Sequence, residues 1–188
     1  MSRRTPAFLG AALAVLALAL GGCADSGDKS GATPAPSASS AAAFPVTVGS
    51  VTLDKRPEKI VALSPTATEM LFAIGAGKQV TAVDDNSNYP PEAPKTDLSG
   101  FNPNAEAVAA RTPDLVVISN DSNKIVDQLT KLKIPVYVAP AARTLDDTYR
   151  QLADLGQLTG HVDEAADVTR RTKDDIAKLV GDLPKSQR

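Results

Sequence analysis

Ile60-Val61-Ala62-Leu63-Ser64-Pro65-Thr66-Ala67-Thr68-Glu69 is the stretch whose reading decides the fold. Four consecutive apolar residues without polar alternation describe a short strand buried on both faces. Thr66 followed by Glu69 has the spacing of a capping box, and the apolar rhythm that follows predicts a helix from Thr66 to Ile74, ended by Gly75. The same alternation then repeats. Val80 to Val83 is strand-like, Asn104 to Ala110 is helical and stops before Pro113, and Leu115-Val116-Val117-Ile118 is a second fully apolar strand. Lys124 to Leu132 is helical, Val136-Tyr137-Val138 is a strand, and Leu145 to Leu158 is a helix closed by Gly160. Apolar strands alternating with helices predict an α/β body, an open and mostly parallel sheet with helices on both faces.

Upstream, Val46-Thr47-Val48 and Val51-Thr52-Leu53 flank Gly49-Ser50, the pattern of an N-terminal β-hairpin. Downstream, Val162, Ala165, Ala166, Thr169, Thr172, Ile176, Leu179, Val180 and Leu183 recur at helical spacing, with acids first and Lys178 late, as the helix dipole favours. This is one long helix of about 20 residues, roughly 30 Å, stopped by Pro184. The expected organisation is a body over 44–160, a long helix over 161–184 and a short tail over 185–188.

The amino terminus reads differently. Ser2-Arg3-Arg4 is a basic lead, Ala7 to Leu20 is an uncharged apolar run, and Leu20-Gly21-Gly22-Cys23 has the form of a lipobox. The run is shorter than the roughly 20 residues a spanning helix requires. Residues 1–22 are therefore expected to be a signal peptide, with Cys23 as the lipidated first residue of the mature protein. Residues 24–43, built from Ala, Ser, Gly, Pro, Thr and Asp with one Lys, are expected to form a tether that buries no core. The expected location is the extracytoplasmic face of the cell membrane, with a lipid anchor holding a monomer.

Composition narrows the function. Residues 1–22 carry two arginines and no acid, which leaves 18 basic and 22 acidic residues in the mature part, a net charge of −4. That balance argues against nucleic acid, which requires a basic surface. A single cysteine forms no internal disulfide, and one histidine builds no histidine metal cluster. Glycine-rich phosphate loops, Gly-x-Ser-x-Gly elbows and cysteine nucleophiles with a base are all missing. An esterase using Ser64 with His161 is the only enzymatic alternative, and no enzyme is expected. The remaining candidates are polar loops after strands, where open α/β sheets bind ligands. These are Ser64-Pro65-Thr66, Asp84 to Tyr89, Leu98 to Asn102, Asn120-Asp121-Ser122 and Ala139 to Thr144. Asp84-Asp85-Asn86 reads equally as a plain turn.

Together the segments resemble a family. Ile60 to Glu69 is similar to the opening strand and helix of ABC-importer binding proteins for vitamin B12 and ferric siderophores. Asn88-Tyr89-Pro90-Pro91-Glu92-Ala93 resembles the Tyr-Pro-Pro stretch of the B12 branch, and Asn104-Ala105-Glu106 with Pro113-Asp114-Leu115-Val116 resembles a helix–strand pair of the family. The likeness runs from about residue 46 to 183. It implies two α/β lobes joined by a long helix, a metal chelate (cobalamin or ferric siderophore) held between them, and delivery to an ABC permease. The metal would arrive inside the chelate, so no cofactor or protein-held metal is implied. Ligand contacts are expected from Ser64, Pro65, Thr66, Asn86, Tyr89, Gly100, Phe101 and Asn120, and permease docking from Glu106. Asn86 stands where the B12 branch has a tyrosine, and Gly100 with Phe101 stands where a tryptophan is usual, which leaves cobalamin and siderophore both open. The chain ends four residues after Pro184, so the expectation is one lobe and the helix, with the second lobe absent. A surface interaction module without transport activity is the alternative.

Overall fold

The computed structural model describes residues 43–181. The hairpin forms as its turn chemistry requires. Strands β1 (Val46–Val48) and β2 (Val51–Leu53) pair antiparallel, with Val48 opposite Val51 and Gly49 taking a positive φ of 57° between them. The main sheet contains β3 (Ile60–Leu63), β4 (Val80–Val83), β5 (Leu115–Ile118) and β6 (Val136–Val138). All its pairings are parallel and the order is β4-β3-β5-β6. The helices are α1 (Pro65–Ala73), α2 (Ala105–Ala109), α3 (Ile125–Lys131), α4 (Leu145–Thr159) and α5 (Val162–Gly181).

Every residue of β3 and β5 is buried, because alternate side chains feed two separate cores. On one face Ile60, Ala62, Leu115, Val117 and Tyr137 pack with Leu71 and Ile74 near α1, with Leu152, Leu155 and Leu158 of α4, and with the hairpin. On the other face Val61, Leu63, Ala82, Val116 and Ile118 pack with Ala105 and Val108 of α2 and with Ile125 and Leu129 of α3. This double coverage is why the strands show no polar alternation. The α/β class, the parallel sheet, the hairpin and the long carboxyl-terminal helix all agree with the sequence reading.

One local expectation is overturned. Thr66 does not cap α1. Ser64 is the N-cap residue in extended conformation without a side-chain cap, Pro65 occupies the first turn, and Thr66 is exposed within the helix. A capping box does form at α4, where Thr144 Oγ1 accepts from the Asp147 amide at 3.2 Å and Asp147 Oδ2 accepts from the Thr144 amide at 3.0 Å. At the far end of α4, Gly160 takes a φ of 77° and closes the helix as expected. Pro184, the signal peptide, the Cys23 lipobox and residues 24–42 of the tether lie outside the described residues.

A polar joint fixes the corner between α4 and α5. Arg56 Nε donates to the Thr159 carbonyl at 2.8 Å, and Arg56 Nη2 lies 2.6 Å from His161 Nε2. Gln79 Nε2 donates to the Pro57 carbonyl, and Gln79 Oε1 lies 3.1 Å from the same imidazole nitrogen. Burial and the Arg56 guanidinium lower the His161 pKa from its ordinary 6.5, while Glu164, 3.7 Å away, opposes them in part. The folded state thus binds fewer protons here than the unfolded chain. The stabilisation is present above pH 6.5 and is lost as pH falls through the depressed folded value. Urea unfolding at about pH 7.5 and about pH 5 is expected to show a less stable protein in acid. His161→Gln is expected to flatten that dependence, and an unchanged slope would remove His161 as its source.

Candidate functional site

The sheet order places the site. From β3 the chain steps outward to β4, then returns across the sheet to β5, so the connections after β3 and β5 leave in opposite directions. Such a reversal leaves a crevice beyond the carboxyl ends of the strands. A cavity of about 210 Å³ lies there, lined by Leu63, Ser64, Pro65, Asp84, Asn86, Gly100, Phe101, Ser119 and Asn120. It is smaller than the roughly 300–1,000 Å³ of a pocket that encloses a drug-sized ligand. A molecule of that size would reach into it only with a substituent or an edge.

Backbone geometry shapes the walls. The Ser64 carbonyl accepts the Thr68 amide at 2.9 Å and begins α1. The Asp84 amide donates to the Ala62 carbonyl at 3.0 Å, which extends the β3–β4 pairing by one residue, and Asp84 also bridges to Leu98. That bridge brings the segment after Leu98 over the end of β3. A Cβ at Gly100 would lie 2.7 Å from the Leu63 carbonyl oxygen and 3.0 Å from Asp84 Oδ2. Glycine is required for this approach, and any side chain there would push the loop off the strand end. Phe101, next in the chain, is 80% exposed at the rim.

Of the eight residues read from sequence as ligand contacts, the fold gathers Ser64, Pro65, Asn86, Gly100, Phe101 and Asn120 around this cavity. Thr66 lies outside it in the first turn of α1, and Tyr89, 61% exposed, also stands outside. Glu106 lies in the first turn of α2, whose N-cap Asn104 accepts from the Ala107 amide at 2.9 Å. It lines a separate polar concavity of about 390 Å³ with Asn102, Asn104, Asn123 and Gln128. Asn123 Nδ2 donates to Asn102 Oδ1 at 2.6 Å, tying the loop before α2 to the loop before α3.

The sequence reading places Asp84 in a candidate ligand loop, with a plain turn as the alternative, and does not name it among the ligand contacts. Asp84 is only 3% exposed and lines the cavity. The available signal was its place directly after a buried strand, at the end where such sheets bind. Ser64 and His161 form no nucleophile–base pair. His161 is held by Arg56 and by Gln79, which precede β3 and β4, whereas Ser64 follows β3, so the two sit at opposite ends of the sheet. Among the described residues no three His, Cys, Asp or Glu side chains gather to hold a metal.

The family model described as periplasmic binding protein matches residues 60–188. A cobalamin-binding protein of Halobacterium salinarum is 33% identical over 186 residues, 93% of this chain and 50% of that protein. An ABC transporter substrate-binding lipoprotein of Bacillus subtilis, YvrC, is 31% identical over 179 residues, 90% of this chain and 56% of that protein. Among solved structures, a possible iron-binding (periplasmic solute-binding) protein of Staphylococcus epidermidis superposes with a TM-score of 0.65 at 26% identity, covering 70% of this chain and 53% of that one. The vitamin B12 binding protein of Vibrio cholerae superposes with a TM-score of 0.58 at 24% identity, covering 65% of this chain and 49% of that one, a likeness of fold. The chain spans about half the length of the relatives it matches. Its strand–helix order, its parallel sheet and the family match over residues 60–188 place this chain in the periplasmic binding protein family.

Proposed function

We propose that this chain is the solute-binding lipoprotein of an ABC importer, that it captures a metal chelate of the cobalamin or ferric siderophore type outside the membrane, and that it hands the chelate to the permease. The observation that carries this reading is the convergence of Ser64, Pro65, Asn86, Gly100, Phe101 and Asn120, from the three connections that follow β3, β4 and β5, on one cavity at the carboxyl ends of those strands. Relatives named for cobalamin binding and for ABC transporter substrate binding support the ligand class and the route. The cavity contacts one edge of the chelate, Phe101 offers an aromatic face to it, and the chelate keeps its own metal. The Cys23 lipid anchor would hold the protein at the membrane surface and the tether over 24–43 would give it reach. Equilibrium dialysis against cyanocobalamin and a ferric siderophore tests this reading. Saturable uptake of either chelate supports it, and uptake of neither overturns it.

Glu106 is proposed to meet a permease arginine. It is exposed in a polar concavity beside the ligand cavity, so it can pair without disturbing the cavity walls. Charges at such a rim steer and orient association. Glu106→Lys is expected to cut delivery to the permease in lipid discs about tenfold at low salt, with chelate affinity unchanged within about twofold. Equal losses in both would mean that Glu106 belongs to the ligand site.

A further inference from the structure

Asp84 is the only charged side chain among the described residues that line the cavity. Its setting is built. The Thr68 hydroxyl lies 2.9 Å from Ser87 Oγ, and Ser87 Oγ donates its single proton to Asp84 Oδ1. The Thr68 hydroxyl also lies 3.0 Å from the Ser64 carbonyl, to which it donates its single proton. Ser87 is the side-chain donor to Asp84 Oδ1, and Thr68, Ser87 and Asp84 are all buried. The Ser87 bond fixes one carboxylate oxygen and leaves the other. Asp84 Oδ2 makes no hydrogen bond among the described residues and keeps a sliver of exposure, in a residue that is 3% exposed overall. It also faces Gly100, which lines the same cavity and whose missing Cβ leaves that oxygen uncovered.

A held carboxylate with one free oxygen, in a small cavity without Lys, Arg or His, accepts N–H donors and repels anions. We propose that Asp84 determines the specificity of this cavity and selects a neutral chelate that presents carboxamide N–H groups, a corrinoid, over an anionic ferric tricatecholate. The proposal rests on the chelate-capture reading above. The cavity size agrees with it, since about 210 Å³ admits an amide arm of a macrocycle and excludes the ring itself. The other lining residues do not compensate the charge. Ser119 and Asn120 are neutral, and Asn86 Nδ2 is bonded to Asp85 Oδ1 at 2.8 Å.

The test compares cyanocobalamin with a ferric tricatecholate by equilibrium dialysis on the whole mature chain, with a melting curve for each variant. The native protein is expected to hold cyanocobalamin more tightly than the tricatecholate. Asp84→Asn keeps the shape and removes the charge. It is expected to weaken cyanocobalamin about tenfold, the difference between a charged and a neutral acceptor, and to leave the tricatecholate unchanged or tighter. Asn86 is exposed, so Asn86→Lys serves as a second variant if Asp84→Asn fails to fold. A cation set beside Asp84 should move the same ratio in the same direction. A native preference for the tricatecholate, or a ratio that neither variant changes, overturns the assignment and leaves chelate capture standing. Failure of the native protein to bind either chelate overturns the capture reading, and this assignment falls with it.

Discussion

Gly156→Val is expected to cost the protein about 3 kcal/mol, read as a melting temperature roughly 10 °C lower. Helices α4 and α5 meet at this glycine. A Cβ there would stand 2.6 Å from Ala165 Cβ and 3.0 Å from the His161 carbonyl oxygen. Neither neighbour yields easily. Ala165 is 1% exposed and is the one buried residue of α5 among those described. The His161 carbonyl is committed as acceptor of the Ala165 amide at 3.0 Å. Glycine costs a helix interior about 1 kcal/mol relative to alanine, and the close crossing accounts for its presence in α4. A valine would force α5 outward and strip Ala165 from the core, and a 20-residue helix in water is marginal without packing. Circular dichroism melting of the chain from residue 24 measures the loss, and hydrogen exchange locates it, with α5 amides expected to exchange faster than those of β3 and β5. Gly77→Ala is the control. The nearest atoms to its Cβ would all belong to the half-buried Phe72 ring, a side chain rather than backbone, so a smaller change is expected. A melting temperature for Gly156→Val within about 2 °C of the parent would mean that the helix pair accommodates a branched side chain and that Gly156 is not the contact that sets their separation.

The sequence made the sheet legible because burial on both faces writes itself as an unbroken apolar run. Ile60–Leu63 and Leu115–Ile118 have no other comfortable reading. Helix ends were legible where one residue type has one use, as with Gly160 in its left-handed conformation. They were not legible where two alignments satisfy the same spacing. Thr66 and Glu69 fit a capping box, but Pro65 suits the first helical position, and this moves the N-cap to Ser64. Ser64 and Asn120 follow strand ends, Asn86 and Gly100 are read from the family resemblance, and all four line one cavity. The burial of Asp84 could not be found in either way. It follows from the bridge to Leu98, a partner 14 positions further along the chain, and from the Ser87 and Thr68 side chains beneath it. Local pattern cannot distinguish a turn aspartate in water from one roofed by a distant segment. The Arg56–His161 joint is hidden for the same reason, since its partners lie 105 residues apart.

Cys23→Ser is expected to abolish lipid attachment altogether. Residue 23 is the only cysteine in the chain, and it follows Leu20-Gly21-Gly22, two small residues that let extended backbone fit a peptidase cleft. Attachment of diacylglycerol requires a thiol that becomes a thiolate and forms a thioether. A serine hydroxyl stays protonated near neutral pH and is a far weaker nucleophile. The consequence for location is large because membrane affinity grows with each buried methylene by about 0.8 kcal/mol, so that one acyl chain binds reversibly and two hold. Among the described residues no helix is long and apolar enough to cross a membrane, so the folded body offers no substitute anchor of that kind. Expressed with its signal peptide, the parent is expected to partition into detergent and to carry the mass of acyl chains on a chain that begins at residue 23. The Cys23→Ser product is expected to lack the acyl mass, and either to retain residues 1–22 or to appear free in the aqueous phase. Mass spectrometry of the intact protein separates these forms, and labelling with a radioactive or clickable fatty acid reports the bond directly. A Cys23→Ser protein that still partitions into detergent at the mature mass would overturn the lipobox reading and leave the apolar segment from Ala7 to Leu20 to be explained as an anchor in its own right.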